Sequence, residues 1–132
     1  MSLPLTPVNP ASLARPRGYS HGMTGTGALL FVAGQIAWDE TGHMVSADFS
    51  TQFAQALDNV LAVVREAGGE PTRVARLTIY VTDKELYRNS LQEIGEAYRK
   101  RMGRHYPAMA LVEVRSLLED EALVEIEATA VL

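Results

Sequence analysis

A chain of 132 residues, 47% hydrophobic and 21% charged, has the balance of an ordinary globular domain, which excludes a disordered, collagen-like or membrane-spanning chain. Cysteine is absent, so disulfides, a thiolate nucleophile and thiolate metal sites are excluded together. Twelve Lys and Arg against sixteen Asp and Glu leave a formal charge of -4, with no broad electrostatic footprint for nucleic acid, and runs such as 28–34 are too short to cross a bilayer.

In chain order, the first segment is punctuated by Pro4, Pro7, Pro10 and Pro16 and lacks the basic-then-apolar layout of a secretory signal, so residues 1–17 read as an extended arm of a cytoplasmic protein. Residues 18–132 read as a single domain. Ala28 to Gln35 is a continuous β-prone run closed by Asp39-Glu40-Thr41-Gly42, and it predicts a strand in a hairpin with a short strand around Tyr19 to Met23. From Asp48 the period becomes helical: Phe49, Phe53, Leu57, Val60, Leu61 and Val64 share a face. Asp48 or Ser50 caps that helix, Gly68-Gly69 ends it, and Gln52, Gln55, Asp58, Asn59 and Arg65 fall on its wet side. Arg76 to Thr82 alternates strictly, with Leu77, Ile79 and Val81 inward. A second helix runs from Thr82-Asp83 through Tyr87, Leu91, Ile94, Tyr98 and Met102 to Gly103, and two strands follow at 108–114 and 122–131. The order β-β-α-β-α-β-β predicts an α+β fold with both helices on one face of a mixed sheet.

The last strand puts Val124, Ile126, Ala128 and Ala130 on one side and Leu123, Glu125, Glu127, Thr129 and Val131 on the other. Two helices cover one face only. The second face, taken to bear Met109, Leu111, Leu123 and Val131, would leave an apolar patch of the size that marks a contact surface, and therefore predicts a homo-oligomer. Such an interface would desolvate Glu125 and Glu127 and raise their pKa toward the range useful for acid or base chemistry; a solvated or salt-bridged strand Glu is the competing reading.

His21, His43 and His105 lack metal-ligand spacing, so no metal is expected. Ser20 and His21 are adjacent on a strand and point apart, which excludes a direct nucleophile and base pair. Gly34, alone in its strand, reads as a bulge or a close backbone approach rather than a phosphate cradle. The cluster Arg99, Lys100, Arg101, Arg104 and His105 complements a helix C-terminus, with anion binding as the minority reading.

Gly18-Tyr19-Ser20, Phe31 to Ile36, Gln55 to Val60, Ala67-Gly68-Gly69, Tyr106-Pro107-Ala108, Val112-Glu113-Val114 and Val124 to Ala128 together resemble the YjgF-like proteins, whose best-understood members are the Rid (reactive intermediate, enamine/imine) deaminases. The resemblance implies a chorismate-mutase-like fold, a homotrimer whose sheets form a central barrel, and small-molecule pockets between subunits, with no cofactor. In the deaminating members an Arg two residues after the motif Pro grips the substrate carboxylate, with a Tyr, a Ser, an Asn, a Cys and a Glu, the last positioning the attacking water. Carried over, Tyr19 and Glu125 match as the catalytic pair and Gly34 as the pocket backbone. The Arg position is Met109, the Cys position Leu111, the Ser position Ala33, and the Asn position falls near Gln92.

A charge-assisted Arg contact contributes roughly 1.5 to 3 kcal/mol net per hydrogen bond, and Met replaces neither its charge nor its donors. The resemblance therefore implies hydrolytic, imine/enamine deaminase-like chemistry with Glu125 in a more apolar pocket, without efficient 2-imino acid deamination. A non-catalytic trimer that senses a metabolite is the alternative.

Overall fold

The computed structural model describes residues 3–132. Six strands and three α-helices run in the order β1 (Thr6–Val8), β2 (Gly22–Thr24), β3 (Leu29–Gln35), α1 (Phe49–Glu66), β4 (Val74–Val81), α2 (Lys84–Arg88), α3 (Leu91–Met102), β5 (Ala108–Glu113) and β6 (Val124–Val131), with a 3-10 turn at Pro71–Arg73 before β4. The main sheet is ordered β3-β6-β4-β5: β4 and β5 are parallel, and β6 runs antiparallel to both β3 and β4. This is the α+β architecture with a mixed sheet that the hydrophobic periods predict.

The α1 stripe of Phe49, Phe53, Ala56, Leu57, Val60, Leu61 and Val64 is buried against Val32, Leu77, Ile79, Val81, Val124, Ile126, Ala128 and Ala130. Asp48 is the cap: its Oδ2 accepts from the Thr51 N–H at 3.0 Å and from the Thr51 hydroxyl at 2.8 Å. At the other end Gly68, at φ +89°, takes the left-handed position that terminates a helix without a Cβ penalty. The Thr51 hydroxyl and N–H hold the Asp48 carboxyl below the usual carboxylate range. A carboxyl depressed by folding contributes stability above its unfolded pKa and loses it as pH falls through the folded value. Asp48→Ala is therefore expected to lower Tm at neutral pH, with the gap from the parent protein closing in acid; melts across the acid range that show a constant gap would contradict this.

Three expectations are corrected. The segment before β3 does not form a hairpin with it: β2 pairs antiparallel with β1, Pro7 opposite Met23, so the Pro-rich arm contributes a strand of its own. The second helix is two. After α2 the chain breaks at Asn89-Ser90, side chains that compete with helical backbone bonding, and α3 starts afresh at Leu91. Third, Met109 and Leu111 do not share a face with Glu125. They stand opposite Leu77 and Ile79 in the β4–β5 register, on the helix-covered face, while Ala108, Ala110 and Val112 align with Arg76, Thr78 and Tyr80 on the open one. Each strand's alternation is right; the phase of one strand against the next is set by the parallel register, which no single strand encodes.

The open face nonetheless stays apolar in part. It carries Phe31, which is 73% exposed, and Leu29 and Val112, both exposed, around Tyr80, Glu125, Glu127 and Thr129. Val131 at its end is buried, packed by the segment at Gly25 and Gly27.

Candidate functional site

The residues singled out from the sequence fall into two groups on opposite faces of the sheet. The first is on the open face at the end of β3. The β3–β6 register shifts between Val32 and Gln35, which makes Ala33-Gly34 a bulge, and the Glu125 side chain lies against it. A Cβ on Gly34 would stand 2.8 Å from Cδ and 2.9 Å from Oε2 of Glu125, so only glycine admits this approach. Ala33 is exposed beside it. The bulge is held from behind by α1, because Asn59 Nδ2 donates to the carbonyls of Ile36 and Trp38, both at 3.0 Å.

The two strand carboxylates differ in their engagements. Glu127 Oε1 accepts from the Tyr80 hydroxyl at 2.6 Å, and that bond, with burial and the nearby charges of Glu127 and Glu125, pushes the Tyr80 phenol above its ordinary range. No side-chain hydrogen bond engages Glu125 among the described residues. Glu127 is thus paired with Tyr80 across the sheet, and Glu125 is not.

The second group is on the helix-covered side, at the β5 edge. Met109 lines a cleft of about 290 Å³ together with Tyr87, Leu91, Ile94, Arg99 and Tyr106. Leu111 packs half-buried on the core beside it. Gln92 is exposed on α3, its Nε2 3.5 Å from Glu96 Oε1, and does not line the cleft. Tyr19 is exposed, edge-on to the His21 ring at 5.5 Å, and borders an adjoining groove with Ser20 and Tyr106.

Ser20 fixes that segment to β5. Its N–H donates to the Pro107 carbonyl at 3.0 Å and its hydroxyl to the Tyr106 carbonyl at 2.6 Å. His21, just before β2, turns instead to the Ala14 carbonyl at 2.7 Å, so the two adjacent side chains serve different partners. Tyr106 stacks on Tyr98 with centroids 5.5 Å apart and rings 9° from parallel, and Tyr98 donates to the His105 carbonyl at 2.6 Å. Burial, with a smaller effect of Tyr106, pushes the Tyr98 hydroxyl well above its ordinary value; burial alone raises Tyr87.

The basic cluster separates by partner. Arg101 holds Asp58 through Nε at 2.7 Å and Nη2 at 3.2 Å, tying α3 to α1. The His105 ring meets the Val74 carbonyl at 2.6 Å. Of these cations only Arg99 lines the Met109 cleft. Among the described residues no three His, Asp or Glu side chains converge as a metal site would require.

Sequence reasoning did not assign Tyr87 or Tyr106 to a site, and it gave Arg99 only a minority reading as an anion-binding residue within the basic cluster. Tyr106 lies within one of the motifs it relied on; Arg99 had a signal in Gly95, a helix-interior glycine one turn before it.

Comparison with known proteins bears on both groups. The endoribonuclease L-PSP family profile matches residues 10–132. A RutC family protein of Pyrococcus abyssi is 37% identical over 105 residues, 79% of each chain, and a 2-iminobutanoate/2-iminopropanoate deaminase of Salmonella typhimurium is 33% identical over 108 residues, 80% of each. A crystal structure of a protein of unknown function of the Rid family from Yersinia pestis superimposes with a TM-score of 0.88 at 32% identity, covering 98% of this chain and 100% of that one. With the profile spanning residues 10–132 and relatives of this identity and coverage, this chain belongs to the endoribonuclease L-PSP family, the YjgF/RutC/Rid proteins.

Proposed function

We propose that the protein is a homotrimer that binds a small metabolite in clefts between subunits and carries out imine or enamine hydrolysis there, with Glu125 positioning the attacking water and Tyr19 orienting the ligand. The observation that carries this reading is the unengaged Glu125 carboxylate lodged against the glycine bulge of Gly34, on a sheet face whose aromatic and aliphatic side chains no element among the described residues covers. Within one chain Glu125 and Met109 lie on opposite sides of the sheet, so a pocket using both needs two copies, the open face of one meeting the β5 edge of the next. A desolvated carboxylate in such a cleft is suited to general acid–base work on a bound water. The deaminase name of the Salmonella relative supports the reaction class.

Met109 sets the limit on substrate. With Met at the position where the resemblance expects a carboxylate-gripping Arg, 2-imino acids lose their anchor, and hydrolysis of freshly generated 2-iminopropionate is expected to be slow beside relatives that keep the Arg. A rate equal to theirs would refute that point. On an enamine or imine that the protein does hydrolyse, Glu125→Gln is expected to reduce turnover by about 10²- to 10⁴-fold. Unchanged turnover would remove Glu125 from the chemistry. The apolar lining around Met109 favours a second reading, a non-catalytic metabolite sensor, which ligand binding without turnover in the parent protein would establish. The acidic balance argues against RNA as the partner, and RNA association is expected to be weak and insensitive to salt.

A further inference from the structure

The cleft beside Met109 holds one cation and no carboxylate, an unusual lining for a surface that is otherwise acidic in balance. Arg99 stands on α3, and helical side chains lean back toward the helix N-terminus. The residue one turn back in that direction is Gly95. A Cβ there would stand 3.1 Å from Nη1 and 3.7 Å from Cζ of Arg99, so the guanidinium sits close over the glycine, in room that a side chain would crowd, at the cleft it lines. Glycine in the middle of a helix is disfavoured by its backbone entropy, and α3 places it where an Arg four residues on needs the room.

The guanidinium is also unspent. Arg101 is engaged by Asp58, and Arg88 pairs with Glu85, but no carboxylate lies within ion-pair distance of Arg99 among the described residues. Glu96, its neighbour on the helix, is approached instead by Gln92. Below it the walls are apolar: Leu91, Ile94 and Met109, with the Tyr87 and Tyr106 rings.

We propose that Arg99 is the anion-recognising residue of this cleft, and that the ligand is a small monocarboxylic acid whose charge is separated from its reacting end by an apolar segment. This rests on the intersubunit pocket proposed above and gives that pocket a substrate class. In a 2-imino acid the carboxylate adjoins the imine carbon, and a strand residue at position 109 would hold both ends together. Here the cation has moved from the strand to the helix across the cleft. The acid it selects must extend over Met109, and an aryl or alkyl body fills the intervening apolar walls. A volume of about 290 Å³ admits a single small ring or a short chain.

The test uses the assembled protein and two probes of matched shape, 3-phenylpropionate and the neutral 3-phenylpropionamide, with affinities measured by calorimetry or ligand-observed NMR at low and high salt. The acid is expected to bind about tenfold more tightly than the amide, a preference that shrinks with salt because the pairing is electrostatic. Arg99→Met, on an exposed helix position, is expected to abolish the preference while leaving amide binding intact, and Gly95→Ala to weaken acid binding by displacing the guanidinium. Equal binding of acid and amide, a preference that survives Arg99→Met, or no binding of either probe at millimolar concentration would each overturn the proposal. Failure of the underlying pocket reads out separately, as a single-chain mass in solution or an unaltered rate in Glu125→Gln.

Discussion

Gln52→Leu is expected to destabilise the fold by about 2 to 3 kcal/mol, because it strands three part-buried backbone groups at once. Gln52 is fully buried on α1. Its Nε2 donates to the carbonyls of Ser46 at 2.9 Å and Glu121 at 3.0 Å, and its Oε1 accepts from the Leu123 N–H at 2.8 Å. One amide thus satisfies the loop entering α1 and the loop entering β6, and it holds the start of the strand that carries Glu125. Leucine has a similar volume, so the change removes hydrogen bonds without opening a cavity. A buried polar group left unpaired costs about 1 to 3 kcal/mol, against a total stability of roughly 5 to 15 kcal/mol for a domain. Urea unfolding measures the shift. Gln55→Leu is the control: that side chain, only partly buried, bonds Asn59 Oδ1 at 2.9 Å, and its loss should cost about 1 kcal/mol or less. Equal effects of the two substitutions would show that the Gln52 network contributes little.

Phe31→Glu is expected to reduce the protein in solution to single chains without unfolding it. Phe31 is 73% exposed, so the isolated chain gains nothing from its ring, whereas an assembly that covers the open face would bury it together with Leu29 and Val112. Burying a phenylalanine contributes roughly 1.5 to 3 kcal/mol, repeated in each copy, and a glutamate in its place adds the cost of an unpaired buried charge. Analytical ultracentrifugation reads the mass and circular dichroism the fold. An unchanged mass would place the contact surface elsewhere and would remove the argument that Glu125 and Met109 meet between copies. Loss of the oligomer with loss of imine hydrolysis, in a chain that stays folded, would tie the activity to the assembled cleft.

The boundary between what was legible and what was not falls at particular residues. Periodicity found the buried stripe of α1 and the inward face of β6 and narrowed the cap to Asp48 or Ser50, of which Asp48 is the one used, because these depend on residues a few positions apart. The lone Gly34 in an apolar strand announced a bulge or a close approach, and both are present, with Glu125 as the group that approaches. The family motifs single out Tyr19, Gly34 and Glu125 from the sequence. The polar side of α1 was misread as wet: Gln52 is buried and Asn59 braces the β3 end, since a polar residue at a helical surface position is buried as readily as exposed once backbone carbonyls are brought to it.

The amino-acid sequence by itself therefore determined the kind and order of the main elements, the family, and the chemical doubt centred on Met109, all properties of local pattern. Only the tertiary structure decided which face β5 turns to the helices, that the arm pairs with β2, that Glu127 is engaged while Glu125 is not, and that Arg99 overlies Gly95 beside Met109. Alternation along a strand separates its two faces, and where both are apolar in part, as in β5, it does not say which is buried. That choice is made by register between strands far apart in the chain, and the cost of burying the wrong face settles it only when the whole sheet is assembled.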